Sequence, residues 1–292
     1  MMTNIVQKIT SIAQVTDAFK TIEGDGFDVL RAIPSHTSES VGPVIFLDHF
    51  GPIEFKAGEA KGASAHPHAG IETLTLLLEG SSVHKDSMGN TSSMRPGEVQ
   101  WMRAGAGIIH DESPDPELLK TGGRNHGVQL WFNMPKGKKH DAPEYQHYRA
   151  DVIPVFVSED GKSKTRVIAG QVAGLTGPVR SNGHPVVAHT SFLGEGQFTI
   201  PTPQATELGL YVMTGRVQIG DSGQHLEAGQ IATLTAGDVL HIINPEGAAE
   251  LLLIGGDPLD APIVRYGPFV MNTRSELEQA FRDYHAGRMG VI

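Results

Sequence analysis

Residues 66–80, HPHAGIETLTLLLEG, set two histidines either side of a proline and run straight into an apolar strand. On a β-strand, side chains two apart share a face, so His66 and His68 project together. A second fragment, AGAGIIHDESP at 104–114, repeats the arrangement with His110 and Glu112. Both pairs stand at strand ends beside glycine turns, where binding residues concentrate. Pro67 has no N–H to donate and fits the first residues of a strand or an edge. If the two strands face one barrel interior, three imidazoles and one carboxylate converge. Taken alone, His-x-His describes exposed or hydrogen-bonded histidines equally well.

Apolar runs of similar length fill the rest of the chain. VIFLDHF (44–50), ETLTLLLEG (72–80), EVQWMRA (98–104) and HGVQLWFNM (126–134) lie in the first half. RVIAGQV (166–172), PVVAHTSFL (185–193), LGLYVMTGRVQIG (208–220), QIATLTAGD (230–238) and AELLLIGG (249–256) lie in the second. Gly, Pro, Asn or Asp punctuates nearly all of them, and many short strands predict an all-β sandwich or barrel. The 35 glycines and 18 prolines of the 292-residue chain suit such turns better than long helices. One helix is expected, in SELEQAFRDYHAG near the C-terminus, with Ser275 as N-cap, Glu278 completing a capping box and Gly287 as the stop.

The halves read as a degenerate repeat. Each runs strand, glycine turn, strand, second turn, strand, with Gly80 matching Gly215 and Gly97 matching Gly229. A repeat this long means two copies of a domain rather than a solenoid. The expected units are residues 1–140 and 150–292, joined through the polar segment around 135–165.

Formal net charge is −10, which disfavours direct contact with nucleic acid. The densest basic run, KGKK at 136–139, is expected in a solvated turn. The absence of cysteine removes disulfides, thiolate zinc sites and cysteine nucleophiles. The polar start MMTNIVQKITSIAQ does not read as a signal peptide, and no 18-residue apolar run predicts a membrane span, so the expected location is cytoplasmic. There is no G-x-S-x-G elbow, no G-x-x-x-x-G-K-[ST] phosphate loop and no complete G-x-G-x-x-G.

Imidazole suits Zn, Cu, Fe and Ni, and an added carboxylate shifts the balance toward redox metals with open positions, such as non-haem Fe(II). HxH followed by x₃E, a glycine turn, a PG turn and a distal histidine resembles the cupin pattern. The fuller likeness is to the pirin family: HPHAGIETLTLLLEG, MRPGEVQWMRAGAGIIHDE, HGVQLWFN and YGPFVMNT all resemble pirin signatures, over about Phe46 to Phe281. The resemblance implies a bicupin, two β-barrel (jelly-roll) domains with a C-terminal helix, and one mononuclear metal in the first barrel. It implies His66, His68, His110 and Glu112 as ligands. The metal expected is Fe(II), with Zn, Cu, Ni, Mn or Co as alternatives. In cupins generally the carboxylate ligand is the glutamate of HxH-x₃-E, here Glu72; the pirin pattern favours Glu112 and leaves Glu72 to orient an imidazole from behind. Many pirins carry a polar residue after HPH; Ala69 stands there in this chain, which bears on local surface charge and partner binding.

The implied activity is oxygenolytic cleavage of flavonols such as quercetin. The 3-hydroxyl is bound deprotonated, O₂ adds across the heterocycle and carbon monoxide leaves, with Glu112 as proton acceptor. The alternative is a regulatory protein whose metal state alters a surface facing a transcription factor or metabolic enzyme. The second barrel is expected to be metal-free. Aligning the glycines sets Pro201 and Pro203 opposite His66 and His68, Glu207 opposite Glu72, Ile242 opposite His110 and Asn244 opposite Glu112. His241 falls one residue out of register and is expected to be structural.

Overall fold

The computed structural model describes residues 7–292 apart from residues 204, 206, 221 and 222. It is a bicupin in which each half builds a seven-stranded and a four-stranded antiparallel sheet. In the first barrel the large sheet runs Glu144–Tyr148, Val99–Arg103, Ile71–Glu79, Gly123–Asn133, Val44–Phe55, Phe27–Ile33, Phe19–Glu23. Its small sheet runs Ala63–His68, Ile108–Pro114, Ser82–Asp86, Thr91–Met94. The second barrel repeats this order. Its large sheet runs Ile12–Asp17, Gln230–Leu234, Glu207–Thr214, Ala249–Gly256, Val186–Phe192, Ser163–Ala169, Val155–Val157. Its small sheet runs Gly196–Pro201, Val239–Asn244, Arg216–Ile219, His225–Glu227. The matching glycines Gly80 and Gly215 hold positive φ, 91° and 78°, at the same turn of each copy.

The ends of the chain cross over. Strand Ile12–Asp17 pairs with Gln230–Leu234 in the second barrel, where Glu144–Tyr148 serves the first. The C-terminal hairpin Val264–Tyr266/Phe269–Met271 and the helix Arg274–His285 lie on the first barrel, with Ala69 bridged to Phe269. Phe269, Met271, Leu277 and Ala280 form one buried cluster with Ala69.

The long strands are apolar on both faces because both faces are covered. Along Gly123–Asn133, Val128, Leu130 and Phe132 pack toward the second barrel, in one core cluster with Val187, Tyr211 and Leu252. The alternate residues Gln129 and Trp131 line a cavity inside the first barrel. Val44–Phe55 divides likewise: Leu47 joins the inter-barrel core, while Phe46, Asp48 and Phe50 line the cavity. Side-chain alternation therefore sorts each strand into a cementing face and a functional face.

Two local expectations change. The C-terminal helix begins two residues early: Thr273 is the N-cap, its hydroxyl accepting from the Glu276 N–H at 3.1 Å, and the Glu276 carboxylate accepts from the Asn272 N–H at 2.9 Å. Thr273 and Glu276 have the same Thr/Ser-to-Glu spacing as Ser275 and Glu278, so the motif was right and its phase wrong. In KGKK, Lys136 and Lys138 are exposed, but Lys139 is fully buried. A short helix, Pro116–Thr121, capped by Asp115, was not anticipated.

A buried histidine pair sits where the barrels meet. His49 Nε2 lies 2.9 Å from His126 Nε2, and His49 Nδ1 lies 3.0 Å from the Tyr211 hydroxyl of the other barrel. Burial, and then the neighbouring His126, lowers the His49 pKa to about 3. The folded value lies below the unfolded one, so the unfolded chain binds more protons and stability is lost as pH falls through 6.5. His49 alone is expected to remove about 2 kcal/mol between pH 7 and 5. Urea unfolding of the metal-free protein at both pH values checks this: His49→Gln should flatten the dependence, and an equal fall in variant and wild type would refute it.

Candidate metal centre

The small sheet of the first barrel carries the histidines. Strand Ile108–Pro114 pairs antiparallel with Ala63–His68 so that His110 faces His66 and Ile108 faces His68. Ring centroids lie 4.9 Å apart for His66 and His68, 4.3 Å for His66 and His110, and 5.0 Å for His68 and His110. One ring nitrogen from each lies within 4.8 Å of the others. His68 and His110 are buried, while His66 is half-buried at the cavity wall.

Hydrogen bonds set the tautomers. His66 Nδ1 donates to the Ser64 carbonyl at 2.8 Å, and His68 Nδ1 donates to the Pro268 carbonyl at 3.1 Å. A carbonyl only accepts, so each Nδ1 carries the proton and each Nε2 keeps its lone pair for a metal. Burial, and then the neighbouring His66, lowers the His68 pKa to about 3. Burial, followed by His68, His66 and His84, lowers that of His110 well below the ordinary value. Burial and the neighbouring rings favour the neutral His68 and His110 that a metal needs, against the pull of the Pro268 carbonyl on His68. Neither ring nitrogen of His110 has a hydrogen-bond partner, though both are buried. An unmatched buried polar group costs about 1–3 kcal/mol, and a cation held jointly by the three rings removes that cost for the nitrogen it binds. The donor set therefore fits a transition metal.

Glu112 stands beside this trio rather than in its tightest group. Its Oε1 accepts from the Thr75 hydroxyl at 3.2 Å and its Oε2 from the Gln129 amide at 2.7 Å. It lines the same cavity as His66 and His68, and is not among the donors within 4.8 Å of one another. A register shift between His110 and Glu112 aligns Glu112 with Ala63 across the sheet.

Glu72 goes elsewhere. It is fully buried and accepts from the Ser181 hydroxyl, from the Asn182 N–H at 3.1 Å and from Trp101 Nε1 at 3.3 Å. None of these is a histidine of the site. By parity Glu72 shares the cementing face of Leu74 and Leu76, whereas Thr75 shares the cavity face. Burial raises its pKa, and the hydrogen bonds from Ser181, Asn182 and Trp101 oppose that rise. Its repeat counterpart Glu207 reaches back the other way, accepting from the Gly42 N–H at 2.7 Å. The two glutamates are reciprocal clasps between the halves. Ala69, too, is no surface residue: it is fully buried beneath the C-terminal strand.

Behind His110 stands a pair that the sequence reading passed over. The His84 ring lies 5.4 Å from that of His110 and stacks on Tyr145 at 4.2 Å, and its Nε2 meets Asp86 at 3.1 Å. His84 and Asp86 are two apart on one strand, the same signal that marked His66 and His68.

The cavity, about 780 Å³, opens from this centre. Trp131 stands edge-on to His68 at 4.9 Å, and Phe46 stacks on Trp131 at 4.2 Å. The Arg31 guanidinium lies 4.4 Å from the Phe46 ring and grips Asp48 with two hydrogen bonds of 2.8 and 2.7 Å. Burial raises the Asp48 pKa to about 6, against the pull of Arg31. Gly267 and Pro268 of the C-terminal hairpin close one side.

Among the described residues, the second barrel has no such interior. Ile242 faces Phe198 and Leu240 faces Ile200, as His110 faces His66 and Ile108 faces His68. Strand pairing thus puts Phe198 and Ile200, not Pro201 and Pro203, in the places of His66 and His68. All four residues on this pairing are buried apolar groups. Asn244 is spent on the Gly194 and Gly247 carbonyls, each at 2.7 Å, and His241 pairs with Thr199 at a half-buried position.

The profile of the Pirin family matches residues 26–132, and that of the pirin C-terminal cupin domain matches residues 187–290. A Vibrio cholerae protein described as a candidate quercetin 2,3-dioxygenase is 38% identical over 96% of this chain and 98% of its own length. Human pirin is 35% identical over 92% of this chain and 90% of its own. The crystal structure of quercetin 2,3-dioxygenase from Acinetobacter baumannii superimposes with a TM-score of 0.90 at 33% identity, covering 97% of this chain and 99% of that one.

Proposed function

Because the chain belongs to the pirin family, we propose that it is an oxidoreductase: a metal-dependent dioxygenase that cleaves a flavonol such as quercetin with O₂, its single metal held by His66, His68, His110 and Glu112. The observation that carries this reading is the convergence of three histidine rings, two of which, His66 and His68, line an aromatic-walled cavity of about 780 Å³. That volume lies in the range of small-molecule sites. Fe(II) is the metal proposed, from the mixed imidazole and carboxylate donors. When bound, the metal supplies Lewis acidity toward the flavonol 3-hydroxyl and redox chemistry toward O₂.

The chain's own residues do the rest. Trp131 and Phe46 offer flat apolar faces that orient a planar ring system against His68. Glu112 takes the hydroxyl proton, and Thr75 and Gln129 hold its carboxylate ready for that transfer. Gln129 is itself fixed by Trp131 Nε1, 3.3 Å from its Oε1, so the wall and the base are tied together. Gly267 and Pro268 of the C-terminal hairpin wall off one side of the site from water. No helix among the described residues is long and apolar enough to cross a membrane; a cytoplasmic location is part of the proposal.

The test is metal analysis coupled to aerobic quercetin turnover on one sample. A regulatory protein that only changes shape with its metal would bind one equivalent and consume no O₂. Glu112→Gln is expected to weaken metal binding far more than Glu72→Gln, because Glu72 faces Ser181 and the second barrel. Loss of a group that merely supports a ligand typically costs about 10–100-fold. Chelator competition ranks the two variants, and the reverse order would remove Glu112 from the ligand set.

A further inference from the structure

A buried lysine stands outside the cavity. Lys139 is fully buried, and its Nζ donates to the Gly70 carbonyl at 3.1 Å, the Asn133 side-chain oxygen at 2.5 Å and the Val270 carbonyl at 2.8 Å. Three N–H groups meet three acceptors, the full complement of an ammonium. Burial draws its pKa down to about 8, opposed by Glu276. Burying a charge is costly even when it is hydrogen-bonded, so such a group marks a place where the geometry it enforces matters.

The acceptors show what that geometry is. Gly70 follows the HPH run by two residues, and Val270 lies in the C-terminal strand. The Val270 N–H donates to the Ala69 carbonyl at 3.1 Å. Gly70 has φ +74°, and a Cβ there would stand 2.0 Å from the Val270 oxygen, so only glycine permits the approach. The Gly70 and Val270 carbonyls both turn to the Lys139 ammonium, which bonds the two together. Two residues before Val270, the Pro268 carbonyl receives the His68 Nδ1 proton.

We propose that Lys139 is a positioning residue of the metal centre: by clamping Gly70 and Val270 it holds the Pro268 carbonyl against His68 and fixes that imidazole with Nε2 toward the metal. The proposal rests on the metal reading above. It separates His68 from His66, whose Nδ1 partner, the Ser64 carbonyl, belongs to its own strand and owes nothing to Lys139.

The test uses the full-length protein with Lys139→Met, which keeps the stem and removes the three donors. Imidazole ¹⁵N spectra of the metal-free protein report each histidine's tautomer, and chelator competition with Zn(II) reports affinity. In the variant, His68 is expected to lose its single Nδ1–H tautomer while His66 keeps its own, and Zn(II) affinity is expected to fall about 10–100-fold. An unchanged His68 spectrum in folded variant protein overturns the proposal, as does an equal disturbance of both histidines. If Lys139→Met does not fold, Asn133→Ala removes one acceptor and should shift His68 in the same direction, and no shift there overturns it equally. Failure of the wild type to bind Zn(II) would strike the metal reading instead, because the tautomer comparison needs no metal.

Discussion

His110→Ala is expected to abolish both metal content and quercetin-dependent O₂ uptake, while His241→Ala leaves both nearly unchanged. His110 closes the triangle with His66 and His68, and both of its nitrogens are buried without another partner. Two imidazoles on one strand with an offset carboxylate do not replace three converging donors. His241 sits opposite Thr199 in a barrel whose corresponding interior positions are Phe198, Ile200 and Ile242. O₂ uptake normalised to folded protein by circular dichroism, with elemental analysis of the same preparations, decides the matter. Loss of activity in His241→Ala with fold and metal intact would give the second barrel a chemical role; retention of metal in His110→Ala would dismantle the centre.

Phe269→Ala is expected to be the most damaging change outside the ligand set. Phe269 is fully buried, packs against Phe281 at 4.8 Å and bridges Ala69, one residue from His68. A phenylalanine removed from a close-packed core costs about 3–5 kcal/mol, a large part of the stability of an ordinary domain. The void left by this change lies where the C-terminal strand meets the end of the strand that carries His66 and His68, so metal affinity should fall with stability. Denaturant unfolding with and without Zn(II) reads both. A loss below about 1 kcal/mol would mean that the strand docks without this anchor.

The strands and the duplication were legible because they are local. Glycine turns recur at matched positions, and runs such as TLTLLLE must be strands covered on both faces. The histidine triangle was legible for the same reason, since i, i+2 pairs need only the strand period. Placing Glu72 off the cavity needed its parity relative to the cavity face. Leu74 and Leu76 fix that parity, but only once their burial against the other barrel is known. The glycine alignment missed Phe198 and Ile200 because the segment joining the strands differs in length between the copies. Lys139 read as surface because composition describes KGKK as a whole, whereas burial acts on one residue of it. The crossing of the chain ends left no local trace: Ile12–Asp17 finds its partner only through the tertiary fold.

That crossing sets a timetable for biosynthesis. Strand Ile12–Asp17 leaves the ribosome early, but its partner Gln230–Leu234 follows roughly 200 residues later. At about 5–20 residues per second the wait is roughly 10–40 s, during which an unpaired strand must be kept from wrong neighbours. The first barrel's histidines are made well before the Pro268 carbonyl, which follows His110 by roughly 160 residues. If the proposed metal centre forms, tight loading is expected only after the C-terminal hairpin has been made and docked. A nascent chain stalled before Val264 is expected to hold Zn(II) weakly, and one released with its C-terminal hairpin docked to hold it tightly; equal retention by both would place loading during synthesis.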